Sequence, residues 1–159
     1  MTASFELAVT RLIDAPPEKV YRVWTERLTE WWCPKPWTTE IIAHDMRPGG
    51  RSAMVMRGPN GESAPMEGVF LEVAPNQRIV LTDAFADGWI PQTPFMIGIF
   101  TFAPEGGKTR YTAAARHWSA EDMKRHEEMG FHPGWDIVAD QFQALVEGAQ
   151  AKAGEPLRR

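Results

Sequence analysis

The chain has 159 residues, 43% of them apolar and 24% charged, and 17 basic against 21 acidic side chains give a net charge of −4. That balance, with only Arg158 and Arg159 as a basic end, excludes general nucleic-acid binding, which needs a basic patch. One cysteine, Cys33, excludes an internal disulfide and fits a reducing compartment, and no apolar run approaches the ~18 residues of a membrane span. Met1 to Glu6 lacks the basic and apolar regions of a signal peptide, so a cytoplasmic protein is expected. The length fits a single domain over residues 1–159, with a core from about residue 5 to about residue 150.

Phe5, Leu7, Val9, Arg11 and Ile13 alternate with Glu6, Ala8, Thr10 and Leu12, the period-two pattern of a strand. Asp14-Ala15-Pro16-Pro17-Glu18 reads as a helix start, with proline and an acid in the first turn, and Val20, Tyr21, Trp24 and Leu28 supply its apolar face. Thr29 is placed to cap a second short helix, Glu30-Trp31-Trp32, which Pro34 and Pro36 end. Thr38 to Met46 reads as a strand, and Arg47-Pro48-Gly49-Gly50 as a turn. Ser52, Met54 and Met56 then share one strand face, opposite Arg51, Val55 and Arg57. After the turn Pro59-Asn60-Gly61, Met66 to Val73 and Arg78 to Phe85 continue an antiparallel meander.

Ala86 to Pro94 reads as a longer loop, its Trp89 and Ile90 either exposed or folded over a pocket mouth. Phe95 to Phe102 and Thr109 to Trp118 are the last strands, joined through Glu105-Gly106-Gly107-Lys108; Tyr111, Ala113, Ala115 and His117 share one face of the second. Ser119 caps a helical piece through Met129 that Gly130 ends, and His132-Pro133-Gly134 reads as a break. From Gly134 to Lys152, Trp135, Val138, Phe142, Leu145, Val146 and Ala149 recur at the spacing of one helix face, and Gly154 stands as its stop.

A long amphipathic helix arriving after a run of strands is expected to lie across one curved antiparallel sheet, an α+β arrangement with two short helices after the first strand. Ala113, Ala115 and Gly98 are too small to fill the wedge between sheet and helix, and Met54, Met56, Phe70, Trp118, Met129 and Trp135 would line it. Seven Trp and eight Met suit an irregular apolar cavity, and they equally suit an interlocked core without a void.

Three stretches carry a resemblance: Asp14-Ala15-Pro16-Pro17-Glu18-Lys19-Val20-Tyr21 with Trp24-Thr25, Trp31-Trp32 and Pro34; Asp45-Met46-Arg47-Pro48-Gly49-Gly50 with Gly68-Val69-Phe70-Leu71-Glu72-Val73 and Pro75-Asn76-Gln77-Arg78-Ile79-Val80; and Gly134-Trp135 opening the last helix. Together they resemble the activator of heat shock protein 90 ATPase homologue family, in the SRPBCC (START-like) helix-grip superfamily. The resemblance implies a sheet gripping the terminal helix, with a hydrophobic pocket between them. It implies three readings of function: a binder of small apolar or aromatic molecules without catalysis of its own, a chaperone-associated module, and a cyclase-like enzyme. Co-chaperones of the family carry an additional N-terminal domain that this sequence does not show.

The residues themselves point to binding more than to catalysis. His117, His126 and His132, with Asp122, Glu127 and Glu128, match no standard zinc spacing, and His126-Glu127-Glu128 reads as a solvated helix face. His117 faces inward, there to bond a ligand or to be satisfied by backbone; Tyr111 and Arg116 are the other polar handles. Asp45 and Asp83 read as structural hydrogen-bonders, and Cys33 as an inert thiol. Trp31 reads as a plug of one sheet end, while Trp32 and Trp37 are either plug or pocket rim. No metal and no cofactor are expected.

Overall fold

The computed structural model describes the backbone of residues 5–154 and the side chains of residues 5–148. Arg158, Arg159 and the side chains of Ala149 and Lys152, all named above, lie outside the described residues. The elements are β1 (Phe5–Ile13), α1 (Pro17–Glu26), a 3-10 turn (Leu28–Glu30), β2 (Thr38–His44), β3 (Arg51–Arg57), β4 (Ser63–Ala74), β5 (Arg78–Thr82), β6 (Phe85–Ala86), β7 (Ile90–Pro91), β8 (Ile97–Glu105), β9 (Lys108–His117), α2 (Ala120–Glu128) and α3 (Phe131–Gly154).

Seven strands form one antiparallel sheet in the order β1-β9-β8-β5-β4-β3-β2. The first and last strands of the chain pair along their whole length, from Phe5 opposite His117 to Ile13 opposite Thr109. Two register shifts, at Ile41/Ala43 and Phe70/Glu72, bend the sheet as bulges do. The turn between β2 and β3 needs its glycines. Gly49 has φ of +82°, and a Cβ on Gly50 would stand 1.9 Å from the Asp45 carbonyl oxygen.

Helix α3 spans 24 residues, roughly 36 Å, and lies on the face of the sheet that carries Leu7, Val9 and Tyr111. It buries Ala139, Phe142 and Val146 and leaves Ile137 outward. Arg11 on β1 clamps it from the flank, Nε to Asp140 at 3.0 Å and Nη2 to Asp136 at 3.2 Å. One end of the wedge is solid: Phe142 packs on Trp31 (4.5 Å between centroids) and on Tyr111 (4.7 Å), and Trp24 packs on Phe100 (5.1 Å).

Three local expectations shift. α3 starts at Phe131 and runs through His132-Pro133-Gly134, because the first helical N–H groups need no intrahelical partner and proline there forfeits nothing. The second short helix is the 3-10 turn two residues earlier, wound on the buried Leu28 side chain; Thr29 lies inside it and caps nothing. The expected loop at Ala86 to Pro94 contains β7, which folds back on β6; its Trp89 and Ile90 are exposed (55% and 60%) and do not line the cavity described below. The other expected caps hold: Pro17 opens α1, the Ser119 hydroxyl accepts from the Asp122 amide at 3.0 Å, and Gly130 follows α2 with φ of +98°.

Candidate functional site

At the other end of the wedge sheet and helix part, leaving a cavity of about 740 Å³. Its floor is the inner face of the sheet: Ser52, Met54 and Met56 of β3, Met66 and Gly68 of β4, Leu81 of β5, Phe100 of β8, Tyr111 and Ala113 of β9. Its roof is Trp135, Val138 and Ala139 of α3. The Trp31–Pro34 segment closes one side, and Asp83, Gln92, Phe95, Met96, His126 and Met129 surround the other.

These positions follow from local pattern. Every second residue of a strand faces the same way, so Ser52, Met54 and Met56 arrive together, as do Tyr111 and Ala113. The Trp31–Pro34 wall is held on α3 by one side chain. Gln141 Nε2 donates to the carbonyls of Trp31 (3.2 Å) and Cys33 (2.9 Å), and its Oε1 accepts from the Lys35 amide (3.0 Å). The far rim is tied down by Asp83, whose Oδ1 accepts from the amides of Phe95 (2.8 Å) and Met96 (3.3 Å), and by Gln92, which donates to the carbonyls of Glu67 and Asp83.

Of the side chains expected around the pocket, Trp32, Met54, Met56, Tyr111, Ala113, Met129 and Trp135 do border the cavity, Met129 as a 68%-exposed rim residue. Four do not. Phe70 shares a face with Gly68 but lies two residues farther along β4, fully buried with its ring edge-on to His44 at 5.6 Å. Trp37 is carried by Pro34 and Pro36 to a separate groove with Thr29, Lys35 and Leu145. Trp118 follows inward His117, so strand alternation turns it outward, and it is 49% exposed. His117 is buried one layer behind the wall. The same alternation puts Arg116 on the outer face, where its Nε donates to Glu6 at 2.7 Å.

His117 is satisfied from both sides: its Nδ1 donates to the Phe5 carbonyl at 2.8 Å, and its Nε2 lies 2.8 Å from Nδ1 of His126. The solvated reading of His126 is corrected, since the ring is buried and lines the cavity. Burial first, and the neighbouring His117 second, push its pKa down from 6.5 to about 4. The signal that could have found it is its spacing of three from Met123, which also packs inward on α2. Burial likewise raises the Tyr111 phenol; the nearby Trp24 indole tempers that rise without making a well-formed hydrogen bond. Cys33 is buried, with Sγ 3.0 Å from the Thr39 hydroxyl. Among the described residues no three His, Cys, Asp or Glu side chains gather as a metal site, and no helix is long and apolar enough to cross a membrane.

The architecture is shared with known structures. A crystal structure of a protein from Nitrosomonas europaea is 37% identical, with a TM-score of 0.85, over 92% of this chain and 96% of that one. A crystal structure of a protein from Mycobacterium smegmatis is 26% identical, with a TM-score of 0.75, over 91% and 95%. A solution NMR structure of a protein from Arthrobacter aurescens, 23% identical with a TM-score of 0.78 over 91% and 87%, shares the fold. No curated protein matches the sequence. Residues 14–147 match the family described as Activator of Hsp90 ATPase homolog 1-like protein. With that match over most of its length and a seven-stranded antiparallel sheet set against a long C-terminal helix, the chain belongs to this family and has its START-like helix-grip fold.

Proposed function

We propose that this protein binds a small apolar or aromatic molecule in the cavity between α3 and the sheet, as a carrier or sensor without catalysis of its own. The observation that carries the reading is the hollow itself. About 740 Å³ lies within the range of small-molecule sites, and most of its wall is apolar, with five methionines and three tryptophans, while Glu67, Asp83, Gln92 and His126 supply polar edges. Burying an apolar ligand there yields ~25 cal/mol per Å² of surface removed from water, before ordering costs.

Thermal unfolding in the presence of naphthalene tests this. At a hundred times Kd a ligand of the folded state adds ~2.7 kcal/mol, a rise of roughly 5–11 °C for a chain of this size. No shift with naphthalene up to its solubility limit, and no quenching of tryptophan fluorescence, would overturn the reading.

Family membership supports a second reading, a co-chaperone-like module. Its test is the ATPase rate of the cognate heat shock protein 90 with and without this chain; an unchanged rate removes it. A cyclase-like enzyme remains the third reading, with His126, Glu67 and Asp83 as ionisable groups on the cavity wall.

A further inference from the structure

Among the polar groups on the cavity wall, His126 is joined through a second ring to the backbone of β1. A backbone carbonyl only accepts, so the 2.8 Å contact to Phe5 O places a proton on His117 Nδ1. In a neutral ring that leaves His117 Nε2 as an acceptor. The 2.8 Å contact between His117 Nε2 and His126 Nδ1 is then made by a proton on His126. His126 Nε2 is left with a bare lone pair and, among the described residues, no donor to fill it. Burial opposes charging of His126. Both rings are buried, neither is in an ion pair with a carboxylate among the described residues, and the Arg125 guanidinium sits over the ring of Phe95 that packs on His126.

The ring is also fixed in direction. Phe95 (4.7 Å), Phe131 (5.1 Å) and Trp135 (5.9 Å) pack around it, so it cannot turn its lone pair away without breaking the His117 bond. Trp135 in turn stacks on Phe100, with planes 6° apart and centroids 6.3 Å apart, and both rings border the cavity.

From this we infer that the ligand is an aromatic molecule bearing a phenol-type hydroxyl, whose O–H donates to His126 Nε2 while its rings lie against Trp135 and Phe100. His117 does not touch the ligand. It is a positioning residue that sets the His126 tautomer from the Phe5 carbonyl. An aryl ether of the same shape has no proton to give, and a carboxylate would meet a second lone pair. The inference rests on the cavity-binding reading and adds to it the chemistry of the ligand.

The test uses the full chain and two probes of nearly equal shape, 2-naphthol and 2-methoxynaphthalene, titrated by tryptophan fluorescence. The readout is the affinity ratio of naphthol to ether. One hydrogen bond to a fixed acceptor shifts that ratio roughly fivefold between wild type and His126→Phe. His117→Leu removes the acceptor of His126 Nδ1–H, frees the tautomer to present N–H at Nε2, and moves the ratio toward the ether as well. The same ratio in all three proteins overturns the inference and leaves the cavity reading standing; failure of both probes to bind wild type overturns both. Imidazole ¹⁵N spectra of the unliganded wild-type protein give a check that needs no variant. His126 with Nδ1 protonated and Nε2 bare supports the relay, and the opposite tautomer overturns it.

Discussion

Replacing Ala113 by leucine separates a hollow wedge from a packed one. Ala113 borders the cavity, whereas Ala115, two residues on along the same face of β9, is fully buried opposite Leu7 and Gly98 and does not. Leucine adds three carbons. At ~0.8 kcal/mol per buried CH₂, filling empty space with them gains up to about 2.4 kcal/mol, less ~0.5–1 kcal/mol of side-chain entropy. For a chain of this length that net gain raises Tm by roughly 2–8 °C. Ala115→Leu has no void to enter. A Cβ on the neighbouring Gly98 would already stand 3.2 Å from both Leu81 and Phe100, so there is no slack. Overpacking of that kind loses ~1–3 kcal/mol, a fall of roughly 2–12 °C. Calorimetric unfolding of the two variants beside wild type is the assay. If Ala113→Leu is destabilised as much as Ala115→Leu, sheet and helix are in contact there and the reasoning fails.

Acid should destabilise the fold between pH 6.5 and about 4, the ordinary and folded pKa values of His126. The unfolded chain takes up the proton first, so stability that is complete above the upper value drains as pH falls, by at most ~1.4 kcal/mol per pH unit for one group. His44, depressed by burial against the opposing Thr25 carbonyl bond, adds a change of the same sign, so the readout is wild type against His126→Gln. Parallel denaturation curves from pH 7 to 4 would show that His126 is not held neutral. Gln141→Leu should cost ~1–3 kcal/mol by leaving the Trp31 and Cys33 carbonyls and the Lys35 amide without their partner. Hydrogen exchange should speed up at the Lys35 amide, which loses that bond directly; unchanged protection there would mean that something other than Gln141 holds the wall.

The sheet and its inner face were legible because a strand repeats every two residues. Tyr111, Ala113, Ala115 and His117 read as one face, and all four are buried. The same rule, carried one residue further, places Trp118 outside rather than on the wedge wall, and it is exposed. Phe70 shows a limit of parity: it assigns the face of a sheet but not the distance along it, and the cavity ends near Gly68. Trp37 shows a limit of sequence proximity, since a proline-bounded segment can round a helix end within a few residues. His126 was hidden by its neighbours. Lys124, Arg125, Glu127 and Glu128 make α2 read as polar, and only the spacing from Met123 marks a narrow inward stripe. The contact of His126 with His117 comes from the fold of α2 back over β9, which no local pattern encodes.

Crystals pressurised with xenon test the central claim without any choice of ligand, because an apolar hollow takes up the gas and a packed core does not. The account predicts xenon between Trp135 of α3 and Met54 and Ala113 of the sheet, with neighbouring side chains in place. Electron density with no site there, and with Met54, Met66 and Met96 swung in to meet α3, would contradict it.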